Sequence, residues 1–164
     1  MRTIIIACSA CLMTTFYQTG SAQGQITIDQ NDMPSPGDTL RVSQSINIPS
    51  GFETAGTNQV WDFSSLQPAG QRVESFISAT ATPSAYQFFF VIIGGANMAA
   101  PVNIPVIPGF PVSDPYAFFR KSTSAYQDLG TAFTIQGFPV PARYDLPDDL
   151  YKFPLLSGNT WDSR

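Results

Sequence analysis

The stretch YAFFRKSTSAYQDLGTAFTI, residues 116–135, is the part of the sequence that most directly indicates a fold class. Aromatic and β-branched residues lie on both sides of a small polar segment at residues 122–124. This pattern predicts two strands joined by a tight turn, with a second turn at residues 128–130. The stretch therefore indicates antiparallel β structure.

Similar short apolar runs, closed by Gly, Pro, Asn or Asp, recur at residues 24–30, 39–48, 59–66 and 71–82. They predict further strands. The run YQFFFVII, residues 86–93, is the most apolar of all and predicts a strand that is buried on both faces. The proline-rich residues 101–112 and 137–149 are predicted as loops, and residues 150–164 as the start of another strand pair. The chain is predicted to be all-β, an antiparallel β-sandwich.

The predicted core consists of large apolar residues on these strands: Trp61, Phe63, Phe76, Phe88, Phe90, Ile92, Phe118, Tyr126 and Phe133. Trp61 has two interpretations, a buried core residue or an exposed platform for a sugar ring. It shares one face of its predicted strand with Phe63, which favours the core.

The first residues have the pattern of an export signal. Arg2 precedes an apolar run at residues 4–13, and the small residues Gly20 and Ala22 precede the expected cleavage point. The apolar run is shorter than the roughly 20 residues that span a bilayer. Residues 1–22 are therefore predicted to be a signal peptide, followed by a β-sandwich domain at residues 23–164, so that the mature protein is secreted.

The composition excludes several functions. Both cysteines, Cys8 and Cys11, lie in the predicted signal, and the sequence has no histidine. The mature chain therefore lacks the residues for a Ser-His-Asp triad, a Cys-His pair or a thiolate or imidazole zinc site. Carboxylate chemistry remains open, with Glu53, Glu74, Asp128 and the acids of residues 145–149 as its carriers, but no catalytic residue is predicted. The net charge of −4 also argues against nucleic acid as a partner.

Two acidic clusters are candidates for calcium, because carboxylate and amide oxygens are its ligands. The favoured cluster is Asp145, Asp148 and Asp149, and the other is formed by Asp29, Asn31, Asp32 and Asp38. The alternative is that these residues form turns and caps. No other cofactor is predicted.

Four segments together resemble one family: DMPSPGDTLRVS, GTNQVWDFSSLQP, YAFFRKSTSAYQDLG and LYKFPLLSGNTW. In this order they are similar to the N-terminal region of secreted Bacteroidota proteins that often end in a type IX secretion sorting domain. The resemblance implies a secreted or cell-surface location and a domain that continues beyond Arg164. It implies no particular activity. Separately, the sequence DTL, residues 38–40, resembles the three-residue O-glycosylation acceptor of exported Bacteroidota proteins, with Thr39 as the acceptor; the alternative is that Thr39 only begins a strand beside a turn.

The expected function is a structural or adhesion-type β domain at the cell surface, without catalytic activity. The alternative is a carbohydrate-binding module of a larger extracellular hydrolase. Fold class alone does not separate the two, because β-sandwiches serve both. The expected partners are extracellular polysaccharide or cell-surface components, and no transmembrane span is predicted.

Overall fold

The computed structural model describes residues 26–48, 50, 60, 62–104, 109 and 111–162. These residues form a mostly β fold with two antiparallel sheets and one short helix. The predicted signal peptide and Trp61 lie outside the described residues. Among those described, no helix has the length and apolar character to cross a membrane.

The smaller sheet is a ribbon of two strands, β1 (Thr39–Gln44) and β2 (Gly70–Ser75). The larger sheet has five antiparallel strands, which lie side by side in chain order. They are β3 (Ile77–Ser78), β4 (Met98–Pro101), β5 (Val112–Lys121), β6 (Ala125–Ile135) and β7 (Phe138–Lys152).

The hairpin predicted from residues 116–135 is confirmed. β5 and β6 pair on either side of a turn in which the Ser122 backbone N–H donates to the Ala125 carbonyl at 2.9 Å. The second turn predicted at residues 128–130 is wrong, because β6 continues through it with shifts of register. Gly130 has φ +117°, and a Cβ there would meet the Ala142 carbonyl oxygen of β7. Asp128 and Gly130 therefore mark a β-bulge rather than a chain reversal.

The loop predicted at residues 137–149 is also wrong, since most of it belongs to the fifteen-residue strand β7. Prolines occur at positions 139, 141 and 147 of this strand. They are tolerated because β7 is the edge of the described sheet, where the N–H groups that point away from β6 have no ladder partner to lose. Gln136 and Gly137, with φ of 50° and 83°, form the two-residue turn that leads into it.

The run YQFFFVII is helical, so the all-β prediction is wrong at this point. A short α-helix, α1 (Ser84–Gln87), continues as a π-helix over Phe88–Ile93. Pro83 stands immediately before α1, and the Gln87 side-chain amide donates to the carbonyls of Thr80 and Thr82 at 3.0 and 2.7 Å. These contacts fix the first turn against the preceding chain.

The other predicted strands are shorter than expected. The strand predicted at residues 39–48 is β1, which ends at Gln44. In the strand predicted at residues 24–30, Ile28 makes only an isolated bridge with Leu155. Residues 71–82 contribute to β2 and β3 and then form a 3-10 turn, Ala79–Ala81. Residues 60 and 62–66 contain no strand, and beyond β7 residues 153–162 form no strand pair.

Apolar clusters cover both faces of the five-stranded sheet. The helical segment packs on one face, where Tyr86 and Phe90 contact Phe118 and Leu129. On the opposite face the buried residues are Phe76, Met98, Ala100 and Tyr126. Of the predicted core, Phe76, Phe90, Phe118 and Tyr126 are buried and Phe133 is half-buried, whereas Phe63, Phe88 and Ile92 are exposed.

Candidate functional site

An open cleft of about 1220 Å³ separates the β1–β2 ribbon from the second face of the five-stranded sheet. The ribbon contributes Arg72 and Glu74 to its lining, and the sheet contributes Phe119, Tyr126 and Tyr151. Its volume is somewhat larger than the roughly 300–1,000 Å³ of most small-molecule sites, and like them it combines apolar walls with a few polar groups. The cleft is therefore the candidate functional site.

The wall next to the ribbon is built by the chain that enters β1. Phe76 exchanges backbone hydrogen bonds with that segment, at 2.7 Å from Gly37 N to Phe76 O and 2.9 Å from Phe76 N to Asp38 O. The Lys121 ammonium donates to the Met33 carbonyl at 3.2 Å and to Ser35 Oγ at 2.6 Å. The end of the β5–β6 hairpin thus holds this wall in place.

The floor of the cleft is aromatic. Phe119 and Tyr126 stack with ring centroids 5.5 Å apart and planes at 16°, and Phe76 lies tilted against Phe119 at 6.3 Å. Such pairs stabilise a packed arrangement by about 0.5–1.5 kcal/mol beyond area burial. The floor is a rigid apolar surface with one phenol set in it.

Tyr126 remains a proton donor over a wide pH range. Burial raises the pKa of Tyr126, and the negative charges of Asp128 and Glu74 and the neighbouring Tyr151 raise it further. A neutral tyrosine hydroxyl can donate one hydrogen bond and also accept.

Arg72 and Glu74 form the charged part of the cleft wall. Arg72 Nε and a terminal guanidinium nitrogen both contact Glu74 Oε1, at 2.8 and 2.7 Å. Their side chains are 45% and 34% exposed, so the pair contributes little to stability. Its significance lies in fixing the orientation of the carboxylate.

The carboxylates considered for catalysis have separate positions. Glu53 lies outside the described residues, and Glu74 is bound to Arg72. Asp128 faces Asp148 across β6 and β7. Burial raises the pKa of Asp128 and the charge of Asp148 adds to this, while the Gly130 N–H opposes both. Close to this pair, the charge of Asp128, then burial and then the charge of Asp148 raise the pKa of Tyr144.

The favoured calcium candidates, Asp145, Asp148 and Asp149, all lie on β7. Asp149 accepts a hydrogen bond from the Gln127 side-chain amide at 2.6 Å and lies 3.4 Å from the Lys152 ammonium. Asp148 pairs in register with Asp128 on the neighbouring strand. Within the described residues, no three acidic side chains come together as a metal site would require.

The first acidic cluster forms turns. Asp29 Oδ1 accepts from the Asn31 N–H at 2.6 Å, and Asp32 Oδ2 accepts from the Asp29 N–H at 2.8 Å, a reciprocal cap of a 3-10 turn. Asp38 Oδ2 accepts from the Ser35 N–H at 2.8 Å. These bonds match the turn-forming alternative.

Thr39, the predicted glycosylation acceptor, is the exposed first residue of β1 and lines the cleft. Modification there stays a prediction. Its position means that a glycan on Thr39 would stand at the mouth of the cleft.

No local motif points to the cleft. The sequence pattern predicts Tyr126 only as a core residue, and it singles out neither Arg72 nor Tyr151. Tyr126 and Tyr151 are brought side by side by the register of β6 and β7, a pairing over 25 residues that no short stretch of sequence encodes.

Tyr151, which lines the cleft, and Trp161 form a second small aromatic group. Tyr151 is 39% exposed and lies against Trp161, with ring centroids 6.5 Å apart. Trp161 Nε1 donates to the Asp149 carbonyl at 3.1 Å, which fixes the indole.

Comparison with known proteins finds no matching family model, no matching curated protein and no matching solved structure.

Proposed function

We propose that this chain is a secreted or cell-surface domain of the structural or adhesive type, without catalytic activity, and that the cleft is its recognition surface. The observation that carries the proposal is the cleft itself, an open site with an aromatic floor and a polar wall. Export by a signal peptide at residues 1–22, and secretion by the type IX route, belong to the same proposal. They rest on the sequence pattern and the resemblance.

The proposed architecture is an antiparallel β-sandwich in the domain at residues 23–164. The five-stranded sheet would form one layer and the β1–β2 ribbon part of the other. The cleft would then lie between the two layers.

The roles of the acidic side chains support the absence of catalysis. Asp29, Asp32 and Asp38 accept backbone N–H groups in turns, and Glu74 holds Arg72. A glycosidase needs one carboxyl as an acid and a second, correctly spaced, as a base or nucleophile. The expected result is no release of reducing ends from neutral polysaccharides by the purified chain. Turnover that disappears in Asp128→Asn would contradict this part of the proposal.

A carbohydrate-binding module of a larger extracellular hydrolase is the second candidate. It is favoured by the partly exposed ring of Tyr151, which lines the same cleft as the charged pair of Arg72 and Glu74. An aromatic face with polar groups around it suits the apolar and hydroxyl-bearing surfaces of a sugar. Both candidate functions use the cleft for recognition. They differ in whether the domain is attached to a hydrolase.

Attachment of beads coated with the full chain tests the recognition surface. The surfaces are a neutral polysaccharide, an anionic polysaccharide, collagen and a blank. Asn103 is exposed at the cleft, so Asn103→Trp places a bulky ring there. Thr123→Trp places the same ring on the exposed hairpin turn and is the matched control.

We expect beads to be retained on at least one surface, with retention lost in Asn103→Trp and kept in Thr123→Trp. Beads that are retained on none of the surfaces would overturn the adhesive function. Equal retention of the two variants would show that recognition lies elsewhere than the cleft.

A further inference from the structure

The hydroxyl of Tyr126 has no protein hydrogen-bond partner among the described residues, although the residue as a whole is almost fully buried. Tyr126 is only 6% exposed and lines the cleft. In the described part of the chain, every fully enclosed side-chain nitrogen or oxygen has a hydrogen-bond partner. The Tyr126 hydroxyl therefore opens onto the cleft. Buried tyrosine hydroxyls usually find a partner, so this one is available to a bound molecule.

Tyr86 shows the contrasting case in the same fold. Its ring is fully buried and its hydroxyl is hydrogen-bonded to Thr134 Oγ1 at 2.5 Å. This bond joins the helical segment to β6. Tyr86 and Tyr126 are thus a matched pair, one with a structural hydroxyl and the other with a hydroxyl that faces the cleft.

Glu74 supplies an acceptor in the same cleft. Both Arg72 contacts are made to Oε1, and within the described residues Oε2 has no hydrogen-bond partner. The guanidinium holds the carboxylate in one orientation. A phenol that donates and a fixed carboxylate oxygen that accepts suit a ligand whose groups both accept and donate, as the hydroxyls of a sugar do.

Tyr151 supplies an apolar surface at the edge of the same cleft. It is the register partner of Tyr126 on β7, and its ring is partly exposed against Trp161. The apolar face of a sugar ring can pack on such a side chain while its hydroxyls reach the polar wall.

The charge of the lining disfavours an anionic ligand. Three carboxylates, Asp32, Asp38 and Glu74, line the cleft with one guanidinium, Arg72. An anionic ligand would meet like charges at close range, which disfavours its binding. Each of these acids already accepts at least one hydrogen bond from the protein.

We propose that the cleft binds a neutral saccharide, with the Tyr126 hydroxyl donating to a sugar oxygen, Glu74 Oε2 accepting from a sugar hydroxyl, and Tyr151 packing on the sugar ring. This inference rests on the proposed recognition role of the cleft and names its ligand class and binding atoms.

Calorimetric titration of the full chain with soluble hexasaccharides tests this inference. The neutral probes are cellohexaose, maltohexaose, xylohexaose and mannohexaose, and hexagalacturonate is the anionic probe. We expect saturable binding of at least one neutral probe and at least about tenfold weaker binding of hexagalacturonate, which corresponds to about 1.4 kcal/mol. The variants are Tyr126→Phe, Glu74→Gln and, as the control, Tyr86→Phe.

Tyr126→Phe should weaken the neutral probe about tenfold or more and leave the melting temperature unchanged. Glu74→Gln should weaken the same probe and reduce the discrimination against hexagalacturonate. Tyr86→Phe should lower the melting temperature and leave the affinity unchanged, because its hydroxyl serves the fold.

The inference would be overturned if no neutral hexasaccharide bound at about 1 mM. It would also be overturned if Tyr126→Phe lowered the melting temperature as Tyr86→Phe does while binding stayed the same. This failure can be distinguished from failure of the adhesive role. If no hexasaccharide bound but the beads were still retained on collagen or on the anionic polysaccharide, the saccharide inference would fail and the adhesive role would stand.

Discussion

Phe90 stacks on Phe118, with ring centroids 4.0 Å apart and ring planes at 13° to each other. Both side chains are fully buried. Phe90 belongs to the helical segment and Phe118 to the central strand β5, so this contact joins the helix to the sheet. The side chains beside Phe90 in sequence, Phe89 and Val91, do not share its full burial.

Phe90→Ala should cost about 3–5 kcal/mol of unfolding free energy, because it removes a buried ring and leaves a cavity against Phe118. Ile92→Ala is the control. Ile92 is 73% exposed, and its truncation should change stability by no more than about 0.5 kcal/mol. Urea unfolding of the two variants measures the difference. Equal costs would indicate a strand, on which residues 90 and 92 share one face.

The β5–β6 hairpin and the helical segment show what the sequence could and could not predict. The hairpin of residues 116–135 is encoded locally, by two apolar runs and a short polar turn, and the prediction of the turn at residues 122–124 holds. YQFFFVII is apolar throughout, and such a run does not distinguish a strand from a buried helix. The signals for a helix lie just outside it, in Pro83 and in Gly94 and Gly95. The burial of Tyr86 and Phe90, four residues apart, follows the helical period.

The sequence predicts a loop where most of β7 lies, for a different physical reason. Its prolines exclude a central strand, but they do not exclude an edge strand. Which strand becomes the edge is decided by the order of the whole sheet, and that order depends on long-range pairing. The cleft has the same origin, because the ribbon and the sheet that line it come from distant parts of the chain.

Gly130→Ala should destabilise the fold by about 2–4 kcal/mol. The φ of +117° disfavours a side chain, and the new Cβ would meet the Ala142 carbonyl oxygen and lie 3.0 Å from the Arg143 Cα. Gly137→Ala is the control, because Gly137 has φ +83° but open space around it. Its cost should be about 1–2 kcal/mol, from backbone strain alone. Thermal unfolding of both variants shows which substitution lowers stability more. A larger loss of stability at Gly137 would contradict the close approach of β7 to Gly130.

Gln136→Asn should stabilise the chain by about 0.5–1 kcal/mol. Gln136 is the first residue of the β6–β7 turn and has φ 50°, a conformation that asparagine adopts more readily than other non-glycine residues. Gln136→Ala should stay within about 0.5 kcal/mol of the parent, because alanine has no such preference. The midpoint of urea unfolding compares the three chains. A destabilising Gln136→Asn would show that the glutamine side chain itself supports the turn.

Asp128→Asn should stabilise the chain at neutral pH, with the gain disappearing in acid. Burial and the charge of Asp148 raise the pKa of Asp128 above its ordinary value of 3.8. Below that value the carboxyl is neutral in the folded and unfolded chains alike, so its contribution to stability is fully present there. As the pH rises through the raised pKa, the unfolded chain ionises more readily and that stability is lost. Asparagine keeps an oxygen for the Gly130 N–H, which donates to Asp128 Oδ1 at 2.8 Å, and it carries no charge. The melting temperatures of parent and variant should therefore differ at pH 7 and converge below pH 3.8. A parent that is more stable than the variant at pH 7 would contradict this. It would show that a contact favours the ionised carboxylate by more than burial disfavours it.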